Sequence, residues 1–211
     1  MKIYPHLRAL WLTLALTTLA STGVAALAML DVLTEPRLLA VLTNAIELIG
    51  SAALAVVLYR LSDESTLFAR ALRTRMLSLA LLIVAVATDL LVRQPSLTLF
   101  RFVSLLTMTG GLIELFSEFF LYWGLDERII PFCYAYPARR IRWCLYGPLL
   151  GSFLASMVLT TLLLDLEQRR PPIDPYRYAL LVELACRFIP LALLGRYNKA
   201  VRAREDDPLT F

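Results

Sequence analysis

The sequence predicts an all-α polytopic membrane protein with six transmembrane helices, and three observations carry that expectation. Of its 211 residues 59% are hydrophobic and only 18% charged, with a mean hydropathy of +0.67, more apolar than a soluble domain of this size requires. Six apolar stretches approach the roughly 20 residues needed to cross a hydrocarbon layer about 30 Å thick. The linkers between them are short and alternate between basic and mixed composition, which leaves no room for a soluble domain.

The first stretch, residues 9–30, follows Lys2 and Arg8 and carries a small-x-small triplet at Ala26-Leu27-Ala28. That pattern imitates a secretory signal. A span of this length exceeds a signal core, however, and a second apolar helix follows almost at once, so a membrane helix is expected. Ser21 with Ala25 and Thr22 with Ala26 give it small-residue faces suited to close packing.

The second stretch, 38–59, places Thr43, Glu47 and Ser51 at helical spacing, with Asn44 beside them. The third, 76–92, begins at Arg75, taken as a boundary marker at the membrane surface. The fourth, 102–125, contains GGLIELFSEFFLYW, in which Glu114 and Glu118 stand one turn apart among apolar side chains. Thr107, Gly111, Glu114 and Glu118 are expected to share one stripe. The fifth, 143–164, has Gly147, Gly151 and Ala155 at four-residue steps, a pattern for close helix approach within the chain. The sixth, 178–195, holds Glu183 and Arg187 one turn apart, near enough to pair. Pro148 and Pro190 are expected to bend their helices, because each removes a backbone donor.

Basic residues favour the cytoplasmic side of short loops. The N-terminus, the second and fourth linkers and the C-terminus hold 14 of the 21 Lys and Arg, against six in the other three linkers. Both termini are therefore expected in the cytoplasm of a plasma membrane. Trp11, Trp123 and Trp143 fall at the same inner ends, where indole rings suit the headgroup layer. The net charge of +4 is accounted for by inner loops facing anionic lipid and implies no nucleic-acid partner.

A recurrent spacing suggests three related hairpins, 8–74, 75–141 and 142–211, within one domain spanning 1–211. Arg8, Arg75 and Arg142 recur every 67 residues, and IEL, IEL and VEL place Glu47, Glu114 and Glu183 at 67 and 69. Such self-similarity is a signature of repeated architecture.

Ionisable residues within a span cost about 2.5–3.5 kcal/mol each on insertion scales and turn inward. Glu47, Glu114, Glu118, Glu183 and Arg187, with Asn44 and Ser51, are thus expected to line a polar cavity. With one guanidinium among four acids, that cavity suits a proton, a cation or an amine-bearing solute. The expectation is a small-solute or ion transporter, or the membrane substrate-binding subunit of one. The alternative is a non-catalytic scaffold or assembly protein whose buried charges hold helices together.

A membrane-embedded lipid-modifying enzyme is disfavoured, since the glutamates lie deep with no histidine beside them, and Asp31, Asp89 and Asp165 at the outer edge read as ordinary interfacial residues. Nucleophile elbow, phosphate loop and HExxH pair are all lacking. Cys133, Cys144, Cys186 and the single His6 do not form a metal-ligand set. Neither a cofactor, a metal nor catalytic residues are expected. The loop 126–142, aromatic and basic, is a candidate contact for a membrane or cytoplasmic partner protein.

Overall fold

The structure, a computed structural model, describes residues 4–30, 36–91, 97–129, 138–165 and 173–206. All the regular elements among them are helices: α1 (Tyr4–Met29), α2 (Pro36–Leu61), α3 (Thr66–Leu91), α4 (Leu97–Ile129), α5 (Ala138–Asp165) and α6 (Ile173–Asp206). Four are long and apolar enough to cross a membrane, over Pro5–Leu27, Val41–Leu61, Thr66–Thr88 and Leu105–Arg128. Large apolar side chains face outward along them, with Leu16, Ile49 and Leu105 each more than 60% exposed. An outward apolar surface of this kind suits lipid rather than water.

Backbone chemistry shapes the elements. Pro36 opens α2, where its missing N–H would lack a helical partner in any case. The turn into α3 is tight: Ser62 N and Ser62 Oγ both donate to Tyr59 O, and Glu64 N donates to Leu61 O. Ser65 then caps α3, its Oγ accepting from Leu67 N at 3.2 Å. Inside the apolar helices hydroxyls bond back to their own backbone, as in Thr17 to Thr13 O, Thr22 to Thr18 O and Thr88 to Val84 O. This satisfies polar groups that hydrocarbon could not.

Helix bounds differ from the sequence expectation most at α6, which runs eleven residues past Gly195, and at α3, which starts ten residues early. The stretch taken as a basic linker is its first turns, so Arg70, Arg73 and Arg75 are helical. Apolar character alone set the expected start, whereas the Ser65 cap sets the real one.

The chain divides into two compact units, Met1–Leu39 with Leu125–Phe211, and Ala40–Gly124. In the first, α6 packs against both α1 and α5. Trp11 Nε1 donates to Leu191 O at 3.0 Å. Gly195, one turn on, permits that approach, since a Cβ there would lie 3.2 Å from the indole nitrogen. Trp11 therefore turns into the helix pair, while Trp123 and Trp143 are exposed, 40% and 68%, as headgroup-seeking rings would be. Gly151 lies against Cys186 Sγ, where a Cβ would come within 2.8 Å. One glycine of the expected close-packing pattern thus serves contact within the chain. Leu7, Leu10, Leu145, Leu194, Tyr197 and Val201 are among its buried side chains.

In the second unit α2 buries Ser51, Leu54, Ala55, Val57, Leu58 and Leu61, spaced at three and four residues as a packed helix face requires. The α3–α4 pair forms the rest.

Candidate functional site

The site grows out of the seam between α3 and α4. On α3 the buried positions Phe68, Ala71, Arg75, Ser78 and Ala85 follow steps of three, four or seven. On α4, Gly110, Ser117, Leu121 and Gly124 do the same. These are heptad-like faces, and small residues let them approach closely.

Contacts fix the register. Ser78 Oγ donates to Gly110 O at 3.0 Å, and Ser117 Oγ donates to Ala71 O at 2.8 Å. Further along, Gly124 accommodates the Phe68 ring, whose nearest carbon would sit 2.7 Å from an added Cβ. Advancing along one helix retreats along the other, so the pair is antiparallel. Arg75 lies between Ala71 and Ser78 on α3, and Glu114 lies between Gly110 and Ser117 on α4. The two flanking hydrogen bonds thereby hold arginine and glutamate opposite one another.

Arg75 Nη1 donates to Glu114 Oε1, and Nη2 stands 3.7 Å from Glu118 Oε1. The Arg75 side chain is only 2% exposed, whereas Glu114 is 43% and Glu118 33% exposed. The guanidinium is the floor of the cluster and the carboxylates are its accessible face. Arg75 Nε is buried and has no hydrogen-bond partner among the described residues, which leaves one donor unsatisfied. With all groups ionised the three side chains sum to one negative charge.

Arg75 is the member of this cluster that sequence reasoning missed. Hydropathy puts it at the mouth of the third span, but it sits two and a half turns into α3, about 13 Å along the axis. Its signal was present in the small residues Ala71 and Ser78, which bracket it at core spacing. Hydropathy hides such a signal, because a basic residue counts against a span wherever its side chain points.

The structure brings Glu114 and Glu118 together and distributes the other expected site residues differently. Ser51 is buried and Asn44 half-buried, while Thr43 and Glu47 are exposed on α2. Steps of four advance about 40° around a helix each time, so the expected stripe crosses from the exposed side to the core. Gly110 is in the seam, whereas Gly111 and Thr107 are exposed. Arg187 is half-buried on α6 in the other unit. The side chain of Glu183 lies outside the described residues, as do 130–137 of the loop proposed for a partner, Cys133, Asp31 and the side chains of Asp89 and Asp165.

The three arginines at 67-residue intervals occupy unlike settings. Arg75 is enclosed by α3 and α4, Arg8 is exposed, and Arg142, 59% exposed, donates through Nε to Asp126 Oδ2 at 2.9 Å. Among the described residues no group of three His, Cys, Asp or Glu side chains is placed to hold a metal ion.

No protein-family model, curated protein or solved structure matches this chain. Its class is accordingly defined by its own architecture: an all-helical protein with, among the described residues, four helices suited to spanning a membrane.

Proposed function

We propose that the protein is a small-solute or ion transporter, or the membrane substrate-binding subunit of one, and that Glu114 and Glu118 on Arg75 form its binding and proton-coupling site. One observation carries this reading. A single enclosed guanidinium serves two carboxylates that are themselves a third or more exposed, within helices apolar enough for a bilayer. Such a cluster is expensive in lipid. Because the acids are the accessible groups, the fitting occupant is a proton, a cation or a hydrogen-bond donor such as an amine.

In this proposal all six helices span a plasma membrane with both termini inside, as the bias of Lys and Arg supports. Three related hairpins remain part of the proposal through the spacing of Glu47, Glu114 and Glu183. The second reading, a non-catalytic scaffold, draws support from the burial of Arg75, since an arginine tying two helices needs no ligand.

Uptake or ligand binding by Glu118→Gln separates the two. The Nη2 to Oε1 distance of 3.7 Å makes Glu118 the looser partner, so the variant is expected to fold and lose activity. A metabolite mixture supplies the complementary assay, because any native-state ligand must raise the melting temperature. Stabilisation that survives in Glu118→Gln, or wild-type protein unmoved by every fraction, would favour the scaffold.

A further inference from the structure

We propose that one end of the α1–α5–α6 unit is a docking surface for anionic phospholipid headgroups. The surface follows from the helix register. Trp11 meets Leu191 and Gly195, which seats α1 on α6. Gly151 meets Cys186. From that contact Arg142 lies two and a half turns back along α5, and Arg196 nearly three turns forward along α6. Consecutive helices joined by a short linker run antiparallel, so both displacements lead to the same end.

The last turns of α6 present the charge. Leu194, Tyr197 and Val201 are buried, while Arg196, Lys199 and Arg202 are exposed on the other side at steps of three. Because its apolar face is already covered, this stretch does not lie in the hydrocarbon; it displays cations alongside it. Arg142 is exposed at the same end, next to Trp143, which is 68% exposed. Among the described residues Glu127 is the exposed acid there, whereas Asp126 is buried and engaged by Arg142.

Charge complementarity selects the occupant. Several guanidinium and ammonium groups around an exposed indole match a phosphate-bearing headgroup with its glycerol backbone at the interface. A net negative lipid is favoured over a zwitterionic one, because among the described residues at this end the exposed cations outnumber the exposed acid. The inference uses none of the Arg75 cluster, so it stands or falls separately from transport.

The full chain in neutral detergent is titrated with dioleoyl phosphatidylglycerol, dioleoyl phosphatidylcholine or inorganic phosphate. Retained lipid is read by native mass spectrometry and stability by thermal melting. Phosphatidylglycerol is expected to be retained and to raise the melting temperature; the other two are not. Each basic residue near an anionic surface contributes roughly five-fold in affinity, so the triple variant Arg196→Gln, Lys199→Gln, Arg202→Gln should bind it on the order of 100-fold more weakly.

Equal retention of phosphatidylcholine, equal stabilisation by inorganic phosphate or undiminished binding by the triple variant would overturn the proposal. Should that variant misfold, salt provides the check on wild-type protein. Raising ionic strength from about 0.01 M to about 1 M shortens screening from about 30 Å to about 3 Å. Preference for phosphatidylglycerol must then vanish, and a salt-insensitive preference would refute the surface.

Discussion

Arg75 of α3 lies directly against Glu114 of α4, with its side chain 2% exposed and hydrogen bonds one turn away on either side. Ser117 to Ala71 O and Ser78 to Gly110 O fix the two helices around the pair. Neither side chain has to search for the other. The register brings them together.

Removing one partner should therefore cost more than removing both. Glu114→Gln strips the enclosed guanidinium of its nearest counter-charge, a change worth about 3–5 kcal/mol for a fully buried pair. Because Glu114 is 43% exposed, the loss is expected near or below the lower end of that range. Arg75→Met with Glu114→Gln should recover part of it, and unfolding in a denaturing detergent measures each corner of the cycle. Additive effects, within about 0.5 kcal/mol, would show that the pair does not couple.

Two glycines of one helix should respond oppositely to alanine. At Gly124 the new methyl group meets the Phe68 ring at 2.7 Å, and overpacking of this kind costs about 1–3 kcal/mol. At Gly111 nothing lies within 4 Å, so alanine should be neutral or stabilise by up to about 1 kcal/mol through helix propensity. Phe68→Leu in the Gly124→Ala background should restore part of the loss. Matching melting temperatures for the two single alanine variants would contradict the seam described above.

Trp11 provides a separate probe of the α1–α6 contact. Trp11→Phe deletes the hydrogen bond to Leu191 O and should destabilise by about 0.5–1.5 kcal/mol. Gly195→Ala should push the indole outward by a few tenths of an ångström, since its Cβ would sit 3.2 Å from Nε1. With Trp123 and Trp143 replaced by Phe, the remaining fluorescence reports that displacement as a change in emission wavelength or quenching. Identical spectra with and without Gly195 would place the ring elsewhere.

Much of this molecule was legible without coordinates, for a local reason. Transfer from water to lipid depends on the residues within one span, so hydropathy over about 20 positions located a helix core in each of the six helices. That Glu114 and Glu118 need a polar partner was legible on the same basis, because two acids one turn apart inside an apolar segment must be answered wherever that segment sits. Helix ends were less so: Ser65 begins α3 through a capping bond that a hydropathy window averages away.

The chain alone thus determined that these segments are helical, which of them are apolar, and that acids in them must be answered by something. Tertiary structure decided what answers them. Glu114 faces Arg75 because Gly110, Ser117 and Gly124 let α4 settle on α3 in one antiparallel register, and that choice belongs to two surfaces fitted together. Thr43 and Glu47 face outward on α2 while Ser51 is buried, a division set by which arc of the helix its neighbours cover. Spacing along a chain sets the angle between side chains; packing sets the zero from which that angle is counted.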